Sequence, residues 1–145
     1  MPELPEVTVI VNQLNRKLKG LVLESVEYDW PKKFFWNGFL IKDLKGKKVE
    51  KIERVGKIVS INVSNVSKVP KVSKGLAILI HLKLTGQLIY QDEKTRIAGG
   101  HPIPPLNLPV PNKTTRVTFT FTSGGHLYFN DIRKFGWVKI IENEE

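Results

Sequence analysis

A strictly alternating segment near the C-terminal end constrains the fold of this chain more than any other feature. From Arg116 to Thr122, polar and apolar residues alternate without exception, and Ser123-Gly124-Gly125 follows directly. A period of two is typical of a β-strand with one buried face. Because glycine favours tight turns between paired strands, the segment predicts a β-hairpin with one apolar face.

Similar β patterns recur along most of the chain. The eight predicted strands are Leu21–Asp29, Val49–Val55, Lys57–Ser64, Leu76–Leu84, Gln87–Gln91, Thr115–Thr122, His126–Asn130 and Trp137–Ile141. Turn signals separate them at short intervals, which favours a two-layer sandwich or barrel. The predicted fold is mainly β with α: a two-layer β-sandwich of about eight strands, flanked by an N-terminal amphipathic helix.

The N-terminal helix is indicated by apolar residues at helical spacing. These residues are Val7, Ile10, Val11, Leu14 and Leu18. Basic residues near its end and Gly20 as a cap predict where it stops. A second, short helix is predicted over Asn37–Leu44, ending at Gly46. Asn65–Gly75 and Thr95–Thr114 are predicted to be exposed loops, because they are rich in Ser and Lys or in Gly and Pro.

Composition limits the class of protein. A chain of 145 residues is one domain with room for a full core, and it has no membrane-spanning apolar run and no signal peptide. It is expected to be cytoplasmic, and nucleoid-associated if bacterial. With no cysteine and three histidines, it is expected to hold no metal or other cofactor. The formal charge of +9, spread over the whole length, suggests a polyanionic partner.

The first candidate chemistry lies in the N-terminal sequence Met-Pro-Glu-Leu-Pro-Glu. Removal of Met1 would leave Pro2 as a secondary amine, which can condense with an aldehyde or a sugar C1 to form an iminium. Nearby cations or a helix N-terminus would lower the pKa of that amine, and Glu3 could move protons beside it. The alternative is that Pro2 is inert and that Pro5 and Glu6 only start the helix.

Two internal segments add candidate contacts. Gly56 and Lys57 fall between two predicted strands, so Lys57 is expected to project from a hairpin, although it could simply be a solvated turn lysine. The segment His81–Gly86 runs from an apolar strand into a Thr-Gly turn, which would expose Leu84 or its neighbour at a rim. The alternatives are a core leucine and an ordinary hydrogen-bonded strand histidine.

A third segment, Asn130–Trp137, places Arg133 and Lys134 beside Phe135 in a turn between strands. Basic and aromatic side chains in one loop are suited to contacting phosphates and stacking on bases. The alternative is a cation–π contact that anchors the loop.

Together these motifs resemble the formamidopyrimidine-DNA glycosylase family, the Fpg/Nei DNA-repair enzymes. The matching segments, in order, are Pro2–Val7, Gly56-Lys57, His81–Gly86 and Asp131–Gly136. Leu4 and the last segment look like the Fpg branch, whose members excise oxidised purines such as 8-oxoguanine and formamidopyrimidines. The resemblance implies a base-excision-repair glycosylase with AP lyase activity, which cleaves by β,δ-elimination through a Schiff base at the N-terminal proline.

The resemblance also implies catalytic roles. Pro2 would attack C1′ of the damaged nucleotide, and Glu3 would transfer protons on the sugar. Glu6 matches a further carboxylate near the site. Lys57 belongs with them because it matches a residue that holds a phosphate around the everted nucleotide.

A second group of residues would bind the DNA. The implied positions are Lys57, His81, Leu84, Arg133, Lys134 and Phe135. Three of these, Leu84, Arg133 and Phe135, match a trio that enters the duplex, where one fills the vacated space, one faces the orphaned base and one wedges the stack. Leu84 stands where the Fpg branch usually has methionine.

Family members continue into a helix–two-turn–helix region and usually a zinc finger, and neither is in these 145 residues. The chain is therefore expected to be the N-terminal catalytic domain alone, a monomer that acts on damaged double-stranded DNA, touches no membrane and is weak or inactive in isolation. Zinc is expected only in the missing region. Two alternatives stay open: a non-catalytic nucleic-acid-binding β module, and a Nei-type glycosylase that acts on oxidised pyrimidines.

Overall fold

The computed structural model describes residues 4–65, 75–102 and 104–143. Pro2, Glu3 and most of the predicted loop Asn65–Gly75 lie outside the described residues. The described chain forms two α-helices, α1 (Leu4–Leu18) and α2 (Ile41–Leu44), and ten strands. The strands are β1 (Leu23–Tyr28), β2 (Phe34–Phe35), β3 (Lys47–Val55), β4 (Ile58–Asn65), β5 (Gly75–His81), β6 (Gly86–Gln91), β7 (Arg96–Gly100), β8 (Thr115–Phe121), β9 (His126–Asp131) and β10 (Trp137–Asn143).

The strands form two five-stranded sheets, in the orders β1-β8-β9-β6-β7 and β2-β10-β5-β4-β3. The predicted sandwich with an N-terminal helix is therefore confirmed. Helix α1 packs against β3 and β7, which are edge strands of the two different sheets. The helix thus closes one side of the sandwich. No helix in the described part of the chain has the length and apolar character needed to cross a membrane.

The hydrophobic patterns place the core as predicted. Val117, Phe119 and Phe121 of β8 are buried, while the threonines between them are only half-buried. The apolar face of α1 is buried as well. Gly20 takes a φ of +91° just after this helix, the left-handed conformation that commonly ends helices at glycine. Burial of these apolar faces from water drives the two sheets and the helix together.

The predicted loop over Thr95–Thr114 is wrong in its first part, because β7 forms there and pairs with β6. The strand was not predicted because its last two residues, Gly99 and Gly100, are typical of turns and loops. Gly99 has a packing role. A Cβ on Gly99 would come within 2.9 Å of the Ile10 side chain of α1. Residues without bulk at this edge therefore let the helix lie directly on β7.

The rest of that segment is fastened to β6 and β7 by side chains. Gln87 donates hydrogen bonds from Nε2 to the carbonyls of His101 and Pro104, both 2.7 Å long. Arg96 donates to the carbonyls of residues 106 and 108, at 2.8 and 2.6 Å. The described part of this segment is therefore tied to the sheet through its own backbone.

Two further boundaries differ from the prediction. The strand expected over Leu76–Leu84 ends at His81, because the next residues form a turn that closes with a 2.9 Å hydrogen bond from the Gly86 N–H to the Leu82 carbonyl. The short helix expected over Asn37–Leu44 is confined to α2, since positions 37 and 38 both have positive φ and form a turn before it.

Candidate functional site

Two connections cross between the sheets at the same end of the sandwich. The 82–85 turn leads from β5 in one sheet to β6 in the other, and the 132–136 turn leads back from β9 to β10. Gly86, directly after the first turn, pairs with Asp131, directly before the second. The antiparallel pairing therefore brings the two turns side by side, although they are far apart in sequence.

The β3–β4 hairpin reaches the same end. Its turn contains Gly56, with a φ of +60°, and Lys57, as the sequence predicted. Ile58 then pairs with His81, the last residue of β5. Lys57 therefore lies beside the start of the 82–85 turn.

His81 occupies a cationic and partly desolvated position. Its Nδ1 accepts a 3.0 Å hydrogen bond from the Lys83 N–H, so the neutral ring carries its proton on Nε2. Burial lowers the pKa of His81, and the positive charges of Lys83 and Lys57 lower it further. The ring also packs against Trp137, at 5.5 Å between centroids. A neutral N–H donor between two ammonium groups is suited to binding an anion.

The two crossing turns present apolar side chains to solvent. Leu84 is 44% exposed, Ile132 48% and Phe135 36%. The alternative of a core leucine at position 84 is therefore wrong. Clustered exposed apolar residues are uncommon on a soluble domain and mark interaction surfaces.

Arg133 stands over one of these side chains. Its guanidinium carbon lies 4.8 Å from the centroid of the Phe135 ring. The cation–π contact considered from the sequence is therefore present, and it leaves both side chains exposed. Lys134 follows in the same turn with a φ of 58° and is exposed. Arg133 and Lys134 are therefore exposed on the same surface as the apolar side chains.

A buried carboxylate organises the 132–136 turn. Asp131 is 0% exposed. Its side chain accepts hydrogen bonds from the N–H groups of Arg133 at 3.3 Å, Lys134 at 3.1 Å and Gly136 at 2.8 Å. The hydroxyl of Thr85, in the other turn, donates to the same carboxylate. Four donors thus surround one charge that has no contact with solvent.

Sequence reasoning missed Thr85 and Asp131 as site residues, although both lie in the matched motifs. The sequence did contain one signal: Asp131 is an acidic residue at the end of an apolar strand, directly before a turn that contains Gly136. Arg116 was missed as well: its Nε donates a 3.0 Å hydrogen bond to the Asp131 carbonyl. Nothing local in the sequence pairs residues this far apart.

Glu6 lies near this end on the helix side. It is exposed in the first turn of α1 and lines a groove of about 360 Å³ between α1 and β7, with Gly99 and Gly100 on the opposite wall. The His101 N–H donates a 3.0 Å hydrogen bond to the Gly86 carbonyl, so the groove adjoins the 82–85 turn. Among residues 4–65, 75–102 and 104–143, no three His, Asp or Glu side chains cluster as a metal site requires.

The predicted N-terminal nucleophile Pro2 and its neighbour Glu3 lie outside the described residues. The other predicted site residues are brought together or kept close. Lys57, His81, Leu84, Arg133, Lys134 and Phe135 lie on the hairpin turn, on the strand end and on the two crossing turns. Helix α1 begins at Leu4, so the positive end of its dipole lies in the turn that starts at this residue.

Comparison with known proteins gives a consistent result. Residues 1–138 match the family model of the formamidopyrimidine-DNA glycosylase N-terminal domain. The formamidopyrimidine-DNA glycosylase of Desulforamulus reducens is 32% identical over 152 residues, which cover 100% of this chain and 45% of that protein. The enzyme of Pelotomaculum thermopropionicum is 32% identical over 144 residues, covering 99% and 45%.

Solved structures of Lactococcus lactis Fpg have the same fold. Its complex with DNA that contains an abasic site has a TM-score of 0.72 at 25% identity, over 97% of this chain and 44% of that one. The chain spans a little under half the length of the relatives it matches.

Proposed function

The chain belongs to the formamidopyrimidine-DNA glycosylase family, and we propose that it is the N-terminal catalytic domain of a bifunctional base-excision-repair enzyme. Its substrate is duplex DNA that carries an oxidised purine, 8-oxoguanine or a formamidopyrimidine. The enzyme removes the damaged base and then cleaves the strand at the abasic site. The observation that carries this proposal is the convergence of basic, apolar and aromatic side chains on one end of the sandwich, beside the N-terminus of α1.

The basic residues of this end suit a phosphate backbone. Lys57, Lys83 and His81 form one group, and Arg133 and Lys134 a second. Cations that neutralise phosphates release condensed counterions, which supplies most of the sequence-independent affinity for DNA. The formal net charge of +9 attracts the duplex as a whole.

The exposed side chains of the crossing turns suit an extruded nucleotide. Extrusion costs stacking and pairing energy and leaves a gap in the duplex. Leu84 fills the gap, Phe135 wedges the neighbouring stack and Arg133 faces the base that has lost its partner. Apolar wedges of this kind are a general device of proteins that kink DNA.

The chemistry begins at the amine of Pro2, once Met1 is removed. The amine attacks C1′ of the damaged nucleotide, and the bond from C1′ to the base breaks, so that the base leaves with the electron pair and takes up a proton. Glu3 transfers protons on the sugar as its ring opens to an iminium between Pro2 and C1′. Glu6 supports this site as a second carboxylate. The helix dipole of α1 favours the unprotonated amine.

Strand cleavage follows from the same intermediate. The iminium acidifies C2′, loss of a C2′ proton expels the 3′ phosphate, and a second elimination expels the 5′ phosphate. Water then releases the sugar remnant and regenerates the amine. No cofactor is needed, because the iminium itself accepts the electrons.

The lesion class is tested with a panel of duplexes under single-turnover conditions. Solved Lactococcus lactis Fpg complexes include a mutant protein with a Fapy-dG containing DNA and the wild-type protein with an oxidized pyrimidine containing DNA, so both classes belong in the panel. We expect faster excision of 8-oxoguanine and formamidopyrimidine than of an oxidised pyrimidine, with an undamaged duplex as control. Faster removal of the pyrimidine lesion would favour a Nei-type activity. Binding without cleavage of any duplex, including an abasic one, would leave only a nucleic-acid-binding module.

A further inference from the structure

We propose that Thr85 and Asp131 are a positioning pair, which holds the two DNA-inserting turns as one rigid unit. This inference rests on the proposed function, since it concerns how the 82–85 and 132–136 turns are presented to DNA. Both side chains are buried, at 7% and 0% exposure, so they act through the residues they hold. Leu84 is the residue next to Thr85, and Arg133 comes two residues after Asp131.

One carboxylate oxygen links the two turns. Oδ1 of Asp131 accepts the Thr85 hydroxyl together with the N–H groups of Arg133 and Lys134. Oδ2 accepts the N–H of Gly136. The carboxylate therefore holds three backbone N–H groups of its own turn, and Thr85 ties the other turn to that same group.

Asp131 is itself anchored on all sides. Its N–H donates a 2.8 Å hydrogen bond to the Thr114 carbonyl, and its own carbonyl accepts from Arg116. It also pairs with Gly86 across β6 and β9. Because these bonds hold the backbone of Asp131, the hydrogen bond from the Thr85 hydroxyl to its carboxylate limits how far Leu84 moves from the Arg133 and Phe135 side chains.

Rigid spacing matters because both turns must enter one gap in the duplex together. If the two turns move independently in the free protein, they must be ordered when DNA binds. That ordering costs conformational entropy and so reduces the binding free energy. Loss of the tie should therefore weaken binding to DNA that has a gap to fill. Binding to undamaged DNA, which depends on phosphate contacts, should be unaffected.

The test uses Thr85→Val, which keeps the shape and removes the donor, and Thr85→Ser, which restores a hydroxyl. A hydrogen bond to a charged group predicts that Thr85→Val weakens binding of an abasic-site duplex roughly 10-fold. Binding to the undamaged duplex and the salt slope should stay at the parent values, and Thr85→Ser should recover abasic-site binding. Thr120→Val is the matched control, because its hydroxyl bonds His126 at 3.0 Å outside both turns.

Three results would overturn the inference: unchanged abasic-site binding by Thr85→Val, equal loss on both duplexes, or no rescue by Thr85→Ser. A parent protein that binds both duplexes equally would instead contradict the proposed function. Amide hydrogen exchange in the free protein then tests whether Thr85 links the two turns. Thr85→Val should speed exchange in both the 82–85 and the 132–136 turns, and unchanged exchange in the second turn would refute the tie.

Discussion

Replacement of Gly136 by alanine measures how tightly the two crossings are packed. A Cβ at this position would be closest to the carbonyl oxygen of His81, and would lie 2.8 Å from the Phe129 ring and 3.1 Å from a carboxylate oxygen of Asp131. The first belongs to the backbone of β5, the second to a fully buried ring, and the third to the carboxylate that holds the turn. None of them is the free end of a flexible side chain.

The size of the effect follows from these distances. Carbon atoms pack best at about 3.5 Å or more, so the Phe129 ring or the 132–136 turn must move by about 0.7 Å. Overpacking of this kind costs about 1 to 3 kcal/mol. For a domain of 145 residues, that loss lowers Tm by about 3 to 10 °C. The same movement stretches the hydrogen bond from the Gly136 N–H to Asp131, so the turn loses its geometry as well.

The control is Gly46→Ala. Gly46 has a φ of +84°, and a Cβ added there would meet no atom of the described residues within 4 Å, so alanine incurs only a backbone penalty. That penalty is about 1 to 2 kcal/mol. Thermal unfolding and binding of an abasic-site duplex are compared for both variants, at a temperature where each is folded. We expect Gly136→Ala to lose more stability and to weaken binding, and Gly46→Ala to bind as the parent does. Parent-like stability and binding for Gly136→Ala would refute the packing described for this end.

Four further predictions follow from the site. Lys57→Ala should weaken DNA binding for all sequences and reduce the salt slope by about 0.9, as loss of one phosphate contact requires; an unchanged slope would remove Lys57 from the interface. Arg133→Ala should alter the preference for the base opposite the lesion, and unchanged preference would remove it from that role. The pKa of His81 is lowered on folding, so as the pH falls the unfolded chain takes up a proton at this residue before the folded chain does. The free energy of unfolding should therefore decrease as the pH drops below about 6.5. His81→Gln should abolish this pH dependence, and an identical pH dependence in the variant would contradict the prediction. These 145 residues alone should cleave abasic DNA better than they excise 8-oxoguanine, since an abasic site has no base to extrude; efficient 8-oxoguanine removal would show that no further domain is required.

Much of the fold was accessible from local pattern. The alternation in β8 and the helical spacing in α1 both record which face is buried, so the sandwich and its flanking helix followed directly. Strand β7 escaped prediction because Gly99 satisfies a packing requirement of α1 and Gly100 one of β6, and glycine carries no periodic signal. Such a strand is recognisable only once its neighbours are placed.

The candidate site was accessible only in part. Residues such as Lys57 and Phe135 were predicted as site residues because their motifs resemble a known family, and the structure places both at the same end of the sandwich. The pair that holds the turns was missed because Thr85 and Asp131 are 46 residues apart and meet through strand pairing across one sheet. A buried carboxylate looks like any turn aspartate until its donors are known.

The measurement that tests the central claim most directly is identification of the residue that forms the Schiff base. The protein is incubated with an abasic-site duplex, reduced with borohydride, digested, and analysed by mass spectrometry. A matched sample in which Met1 is retained serves as the control. We predict that the sugar remnant is found on the peptide that begins with Pro2, and that the control gives no adduct. An adduct on Lys57 or another lysine, or equal trapping by the control, would contradict the assignment of Pro2 as the nucleophile.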